Sequence, residues 1–215
     1  MATRSNTLLL STGMAAAVVY TLHVLLGGWW WKGYRHLHQP ISDLTATGAP
    51  NRAGLLALTT LYGLLALTFA LVFLILESKK HHRMVVIGAV FFVALHLLSL
   101  SYGLFPQDLP GQPATFAGTM HLAVTALIVP CTLLAPLFIG WGLLGEPEWK
   151  KFGYLSLVTS LLLLLFGGTT AYLFARELPY FGLAERLNIG TLQLWTCCFS
   201  FKLVKNSLPR RLKQT

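Results

Sequence analysis

The chain has 215 residues, of which 55% are hydrophobic and only 11% charged, and its mean hydropathy is +0.64. Soluble domains carry about 25% charged residues, so this balance excludes a water-soluble enzyme and leaves one polytopic membrane domain with no room for a soluble domain beside it. The net charge of +9 sits in short gaps between long apolar runs, not on a sheet or groove, which argues against nucleic acid as a partner.

Windows of about 19 residues predict six spans. The first, residues 7–29, is too long for the apolar region of about 7–15 residues in a signal peptide and reads as a retained helix. It carries His23 and ends in Trp29, Trp30, Trp31 and Tyr34, which read as an interfacial aromatic belt, as Trp141, Trp149 and Tyr154 do at the other interface. The second span covers residues 53–76. The third, 84–105, carries His96 and, one turn further on the same face, Ser99. The fourth, 116–144, carries His121, and Pro130 and Pro136 are expected to kink it, freeing carbonyls near Ala126 and Thr132. The fifth, 152–175, contains Gly167–Gly168, which would permit close helix approach. The sixth, 183–204, opens with Glu185 and Arg186 and holds Cys197 and Cys198; these and Cys131 lack the spacing of a zinc ribbon or disulfide framework. Strand-like alternation is absent, so the expected class is all-α, a transmembrane bundle of six helices.

With the N-terminus inside, eleven Lys and Arg fall on the cytoplasmic side: Arg4, Lys79, Lys80, Arg83, Lys150, Lys151, Lys202, Lys205, Arg210, Arg211 and Lys213. Five fall outside: Lys32, Arg35, Arg52, Arg176 and Arg186. The positive-inside rule therefore predicts that both termini are cytoplasmic.

The outer connections, 30–52, 106–115 and 176–182, together with the start of the sixth span, hold Asp43, Asp108, Glu177 and Glu185. From the rise per residue, His23, His96 and His121 lie about 9, 14 and 8 Å below the outer ends of their helices. His36 and His38 read as solvated loop residues, and His81 and His82 as part of a basic cytoplasmic turn. Titratable groups inside a bilayer are costly and tend to be functional, so the pattern predicts a polar cavity in the outer half. Its expected lining is His23, His96, His121, Asp43, Asp108, Glu185 and Arg186, with Ser99 and Arg176 as further ligand-binding candidates. Arg176 and Arg186 can pair with Asp43 or Asp108, or with a lipid phosphate.

Three chemistries fit these residues. Imidazoles of His23, His96 and His121 can hold Zn²⁺ and lower the pKa of a bound water, with Asp43, Asp108, His121 and Glu185 as the catalytic set of a lipid hydrolase. The same groups can bind a membrane lipid or small solute without chemistry. His96 and His121 can serve as axial haem ligands, although their estimated depths differ by about 6 Å.

The segment His38-Gln-Pro-Ile-Ser-Asp-Leu-Thr-Ala-Thr-Gly-Ala-Pro-Asn51, the motif Gly103-Leu-Phe-Pro-Gln-Asp108 followed by His121, and Gly182-Leu-Ala-Glu-Arg186 occur in this order. They resemble the family named domain of unknown function 998 over most of the chain. The resemblance implies a small multi-helix membrane protein, chiefly of prokaryotes and so of the plasma membrane, and implies no activity. Asp43, Asp108, His121, Glu185 and Arg186 match the family's polar positions, whereas His23 and His96 do not map onto it. The zinc set is also similar to that of alkaline-ceramidase-like membrane hydrolases, but the sixth span lacks their histidine pair.

Overall fold

The computed structural model describes residues 4–80 and 82–207. His81, Arg210, Arg211 and Lys213, used above for charge and orientation, lie outside the described residues. Six helices follow in order: α1 (Arg4–Trp30), α2 (Arg52–Ser78), α3 (Arg83–Leu100), α4 (Phe116–Leu143), α5 (Lys150–Ala175) and α6 (Phe181–Ser207). Short 3-10 turns occupy Ser42–Thr45 and Ser101–Gly103, and the described residues contain no strand. The third span thus stops being α-helical at Leu100, five residues before its expected end. A 3-10 turn continues it to Gly103, and the chain leaves toward Pro106, which cannot donate a helical hydrogen bond.

A helix of 27 residues is about 40 Å long, more than the roughly 30 Å of a bilayer's hydrocarbon core. Five of the helices, α1 to α5, are long and apolar enough to cross a membrane. The last, α6, is as long but far less apolar, because it carries Glu185, Arg186, Asn188, Gln193 and Lys202. Its polar side chains turn toward protein: Gln193, Thr196 and Ser200 are buried, while Leu194 and Phe201 face outward. Side chains on both faces of the other helices are apolar, as expected where one face meets lipid and the other meets helices.

Each helix packs on its sequence neighbours, and α6 closes the ring against α1. At that seam Ser200 Oγ donates to the Leu10 carbonyl (2.6 Å), and the hydroxyls of Thr7 and Ser207 share a 2.9 Å hydrogen bond. The N-terminal end of α1 and the C-terminal end of α6 therefore lie at the same end of the bundle. The connections 31–51, 104–115 and 176–180 lie at the opposite end, called the loop end below.

The half of the bundle nearer the termini is filled by aromatic rings. Phe199 meets Phe73 at 4.7 Å, Phe152 at 5.0 Å and Trp195 at 5.2 Å between ring centroids, and Phe92 lies 5.5 Å from Trp195. Lipid tails are as apolar as leucine, so helix association here rests on close contact and hydrogen bonds instead of on water expulsion. Two glycines supply that contact between α4 and α5. A Cβ added to Gly140 would stand 2.8 Å from the Gly153 carbonyl oxygen, and one added to Gly153 would stand 2.9 Å from that of Gly140. Gly167 makes only ordinary contact with Asn188, and Gly168 has open space, so the close approach expected there occurs one membrane half away. The chain of α4 continues through Pro130 and Pro136, and Ser160 of α5 donates to the carbonyl of Leu133 between them.

Candidate functional site

The loop end is built around the first turns of α6. Arg186 donates through Nη1 to the carbonyls of Gln39 and Gly182, both at 2.9 Å, and through Nη2 to the Tyr34 hydroxyl at 2.6 Å. Burial pushes the Tyr34 hydroxyl up to about 12, so it keeps its proton, which it donates to the Pro40 carbonyl at 2.6 Å. The neighbouring carboxylate, Glu185, accepts from the Ile41 amide at 2.6 Å. Two backbone bonds, from Gly182 to His38 and from Leu183 to Leu37, complete the strap. Position 182 has to be glycine, since a Cβ there would strike the carbonyls of Gln39 and His36. Connection 31–51, which follows α1, is thereby tied to the start of the neighbouring α6. Tyr34 is buried, 8% exposed, and belongs to this strap instead of to the aromatic belt; Trp29, at 79%, is where the belt begins. Nor are His36 and His38 simply solvated: His36 lies 5.1 Å from the Tyr34 ring and against Gly28, and His38 lies 4.9 Å from the Tyr180 ring.

The two loop aspartates differ in environment. Asp43 is fully buried; its Oδ1 accepts from Gln107 Nε2 at 3.0 Å, and its Oδ2 has no partner. Burial lifts the Asp43 carboxyl to about 6, with the Gln39 side chain and the Arg186 charge pulling it back only in part. Gln107 also meets the Ser42 hydroxyl, and its carbonyl accepts from the Thr47 amide, so it stitches two connections together. Asp108 accepts from the Thr115 amide and hydroxyl, both at 2.8 Å, while Thr115 caps α4 by accepting from Gly118 N at 3.0 Å. That is a helix-start device. Asp108 and Arg186 form no ion pair, and neither do Asp43 and Arg186.

The three membrane histidines are placed in different surroundings. His121 stacks on Tyr102 at 4.4 Å and holds its Nδ1 3.0 Å from the Phe105 carbonyl, which fixes the proton on Nδ1. Tyr102 in turn shares a 2.9 Å bond with Thr125. His96 and His23 are each 2% exposed, and neither has a hydrogen-bond partner on either ring nitrogen. Tyrosines stand between them: Tyr20 is 5.9 Å from His23 and 4.8 Å from Tyr62, and Tyr62 is 6.1 Å from His96. Gln193 of α6 donates to the Tyr62 hydroxyl at 2.9 Å.

Among the described residues no three His, Cys, Asp or Glu side chains stand close enough to hold a metal ion. The zinc set of His23, His96 and His121 is therefore not assembled, because Tyr20 and Tyr62 fill the space between two of its members and His121 is spent on the connection after α3. Paired haem ligation by His96 and His121 meets the same obstacle, since His121 packs face to face with Tyr102. Ser99 donates back to the His96 carbonyl, and Arg176 is exposed beside the Tyr172 ring, so neither joins the group around Arg186. Sequence reasoning missed Tyr34, Gln39, Gln107, Tyr20, Tyr62 and Gln193. One helical signal was available, Tyr20 lying three residues before His23 on the same face.

What remains is a set of buried polar atoms with no protein partner: both nitrogens of His23 and of His96, Asp43 Oδ2, Arg186 Nε and Asn188 Oδ1. They come from α1, α3, α6 and connection 31–51, all toward the loop end. Each unsatisfied buried group costs about 1–3 kcal/mol, so such a set calls for water or a ligand.

No curated protein and no solved structure matches the chain. A family model does, across residues 14–202, a stretch that includes the strap, the Gln107–Asp108 connection, His121 and the Glu185–Arg186 pair. This integral membrane chain belongs to the family described as Protein of unknown function (DUF998).

Proposed function

We propose that the chain binds the polar head of a membrane amphiphile in the outer half of the bundle, without hydrolysing it. The observation that carries this reading is the unpartnered set of His23, Asp43, Arg186 and Asn188 atoms. A head group offering both donors and acceptors is the partner they call for: the His23 ring nitrogens supply one donor and one acceptor, Asp43 Oδ2 and Asn188 Oδ1 accept, and Arg186 Nε donates, while His96, beyond Tyr20 and Tyr62, calls for a partner of its own. Hydrolysis is the weaker reading because the histidines do not converge on one ion position. The strap across α6 supports binding from the loop side, since releasing Arg186 and Glu185 from connection 31–51 would open that end.

Native mass spectrometry of protein extracted in mild detergent tests the reading, with His23→Phe as the partner experiment. This substitution keeps a ring and removes both orphaned nitrogens, so an empty site is stabilised by it. The expected result is one retained amphiphile per wild-type chain, depleted about tenfold in the variant, with the variant still folded by its melting curve. A wild-type chain that carries no amphiphile, or a variant that retains it equally, overturns the reading.

A further inference from the structure

α4 and α5 meet closely in one half of their length and part in the other. Nearer the termini their backbones touch at Gly140 and Gly153, and the Ser160 hydroxyl donates to the Leu133 carbonyl at 2.9 Å. Eleven residues make about three helical turns, so a position eleven further along lies on the same face. Carried that far toward the loop end, the two contacts become Val129 opposite Leu164 and Leu122 opposite Ala171. Helices that stayed together would cover all four. Instead Val129 is 49% exposed, Leu164 56% and Leu122 53%, and Ala171 is exposed as well.

Each helix leans on a different neighbour in this half. α4 turns His121 and Thr125 to Tyr102 in the 3-10 turn after α3, while α5 rests on α6 through Phe174 and Phe181, 6.0 Å apart between ring centroids. The buried residues of α5 end at Leu163, and none of the described residues 164–175 is buried. The result is a wedge open to the side of the bundle and closed below by the Leu133–Ser160 contact. Two polar acceptors border it. Pro130 has no amide to give to the carbonyl of Ala126, which lies about two turns from Leu133 on the same face, and both residues are exposed. Asn188 Oδ1, one of the unpartnered atoms of the proposed site, lies behind Gly167, where an added Cβ would stand 3.5 Å from it.

An acceptor that faces hydrocarbon is costly, because lipid tails offer it no donor. A second helix does not follow a taper whose walls meet, since helix axes stay about 8–10 Å apart; a single acyl chain does. We infer that the amphiphile of the proposed site enters sideways between α4 and α5 and stays with its acyl chain in this wedge, on Leu122, Val129 and Leu164. Its head then stands at the level of Ala126 and Gly167, where its donors reach the Asn188 oxygen, and glycine at 167 keeps that passage open. The inference rests on the head-group reading and adds to it the route of entry and the seat of the tail.

Filling the wedge tests the inference. Val129→Trp and Ala171→Trp place an indole in it from either wall, at exposed positions that leave the fold intact by its melting curve. Leu165→Trp, on the same helix as Ala171 but about 100° round from the Leu164 face, is the control. Native mass spectrometry is expected to find the retained amphiphile depleted about tenfold or more in both wedge variants and undiminished in Leu165→Trp. Retention at the wild-type level in Val129→Trp and Ala171→Trp, with loss in His23→Phe, overturns the wedge and leaves the head-group reading standing. A wild-type chain without amphiphile overturns both. Ala171→Cys in phosphatidylglycerol vesicles checks the other occupant: disulfide-linked dimers above the wild-type background would put a second copy in the wedge and overturn the inference, and their absence is the expected result.

Discussion

Arg186 is the residue on which the loop end depends. Three donors of one guanidinium reach two carbonyls and a phenol at once, a geometry that a lysine ammonium cannot reproduce. Arg186→Ala should cost about 2–4 kcal/mol, since hydrogen bonds to a charged group are worth roughly 1.5–3 kcal/mol and their buried acceptors are left unpaired. Arg186→Lys should recover less than half of the loss in thermal melts, and full recovery would reduce the residue to a point charge. Asp43 makes a pH prediction. Its folded pKa of about 6 lies above the ordinary aspartate value, so the folded state holds the proton more tightly than the unfolded one. The stability this contributes is complete below about pH 4 and is lost as the pH rises through 6. Melting temperature should therefore fall across that window by more in wild type than in Asp43→Asn; parallel profiles would place the titration elsewhere. Metal analysis bears on the histidines directly: protein purified without chelator should carry well under one zinc per chain, and a stoichiometric ion would show that His23, His96 and His121 move together.

At the level of the helices, the contact between α4 and α5 is backbone on backbone. Gly153→Val pushes a branched side chain into the Gly140 carbonyl and should lower the melting temperature sharply, by an amount typical of overpacking, about 1–3 kcal/mol or more. Gly168→Val, on the same helix with open space around it, should be close to neutral. If the two variants melt alike, the packing at that seam is not what holds the helices together. The cap of α4 shows how an acid near a membrane surface is used for structure: Asp108 holds Thr115, and Thr115 holds the first turn. In the sequence these two residues are separated by Pro110, Gly111 and Pro113 and read as unrelated loop positions. The most polar helix, α6, could be read as a span from its length, yet its inward Gln193, Thr196 and Ser200 have meaning only once α1, α2 and α5 surround them.

For the molecule as a whole, topology is the open measurement. Gln112→Cys, in the exposed connection before α4, should react with a membrane-impermeant maleimide on intact cells, whereas Lys150→Cys at the start of α5 should react only after permeabilisation. The reverse pattern would invert the bundle and move the strap to the cytoplasm. Composition and hydropathy determined by themselves that the chain is a helical membrane protein, because lipid leaves the backbone no other open-ended solution. Short motifs at the connections likewise carried the family, and the polar positions Asp43, Asp108, His121, Glu185 and Arg186 were visible as residues out of place in an apolar chain. The tertiary structure alone decided what those residues do. Depth along a helix can be counted from a sequence, but rotation about its axis relative to five neighbours cannot, because lipid-facing and protein-facing sides are equally apolar. Three histidines counted at similar depth therefore resemble a metal site, until Tyr20 and Tyr62 are found between two of them and Tyr102 against the third.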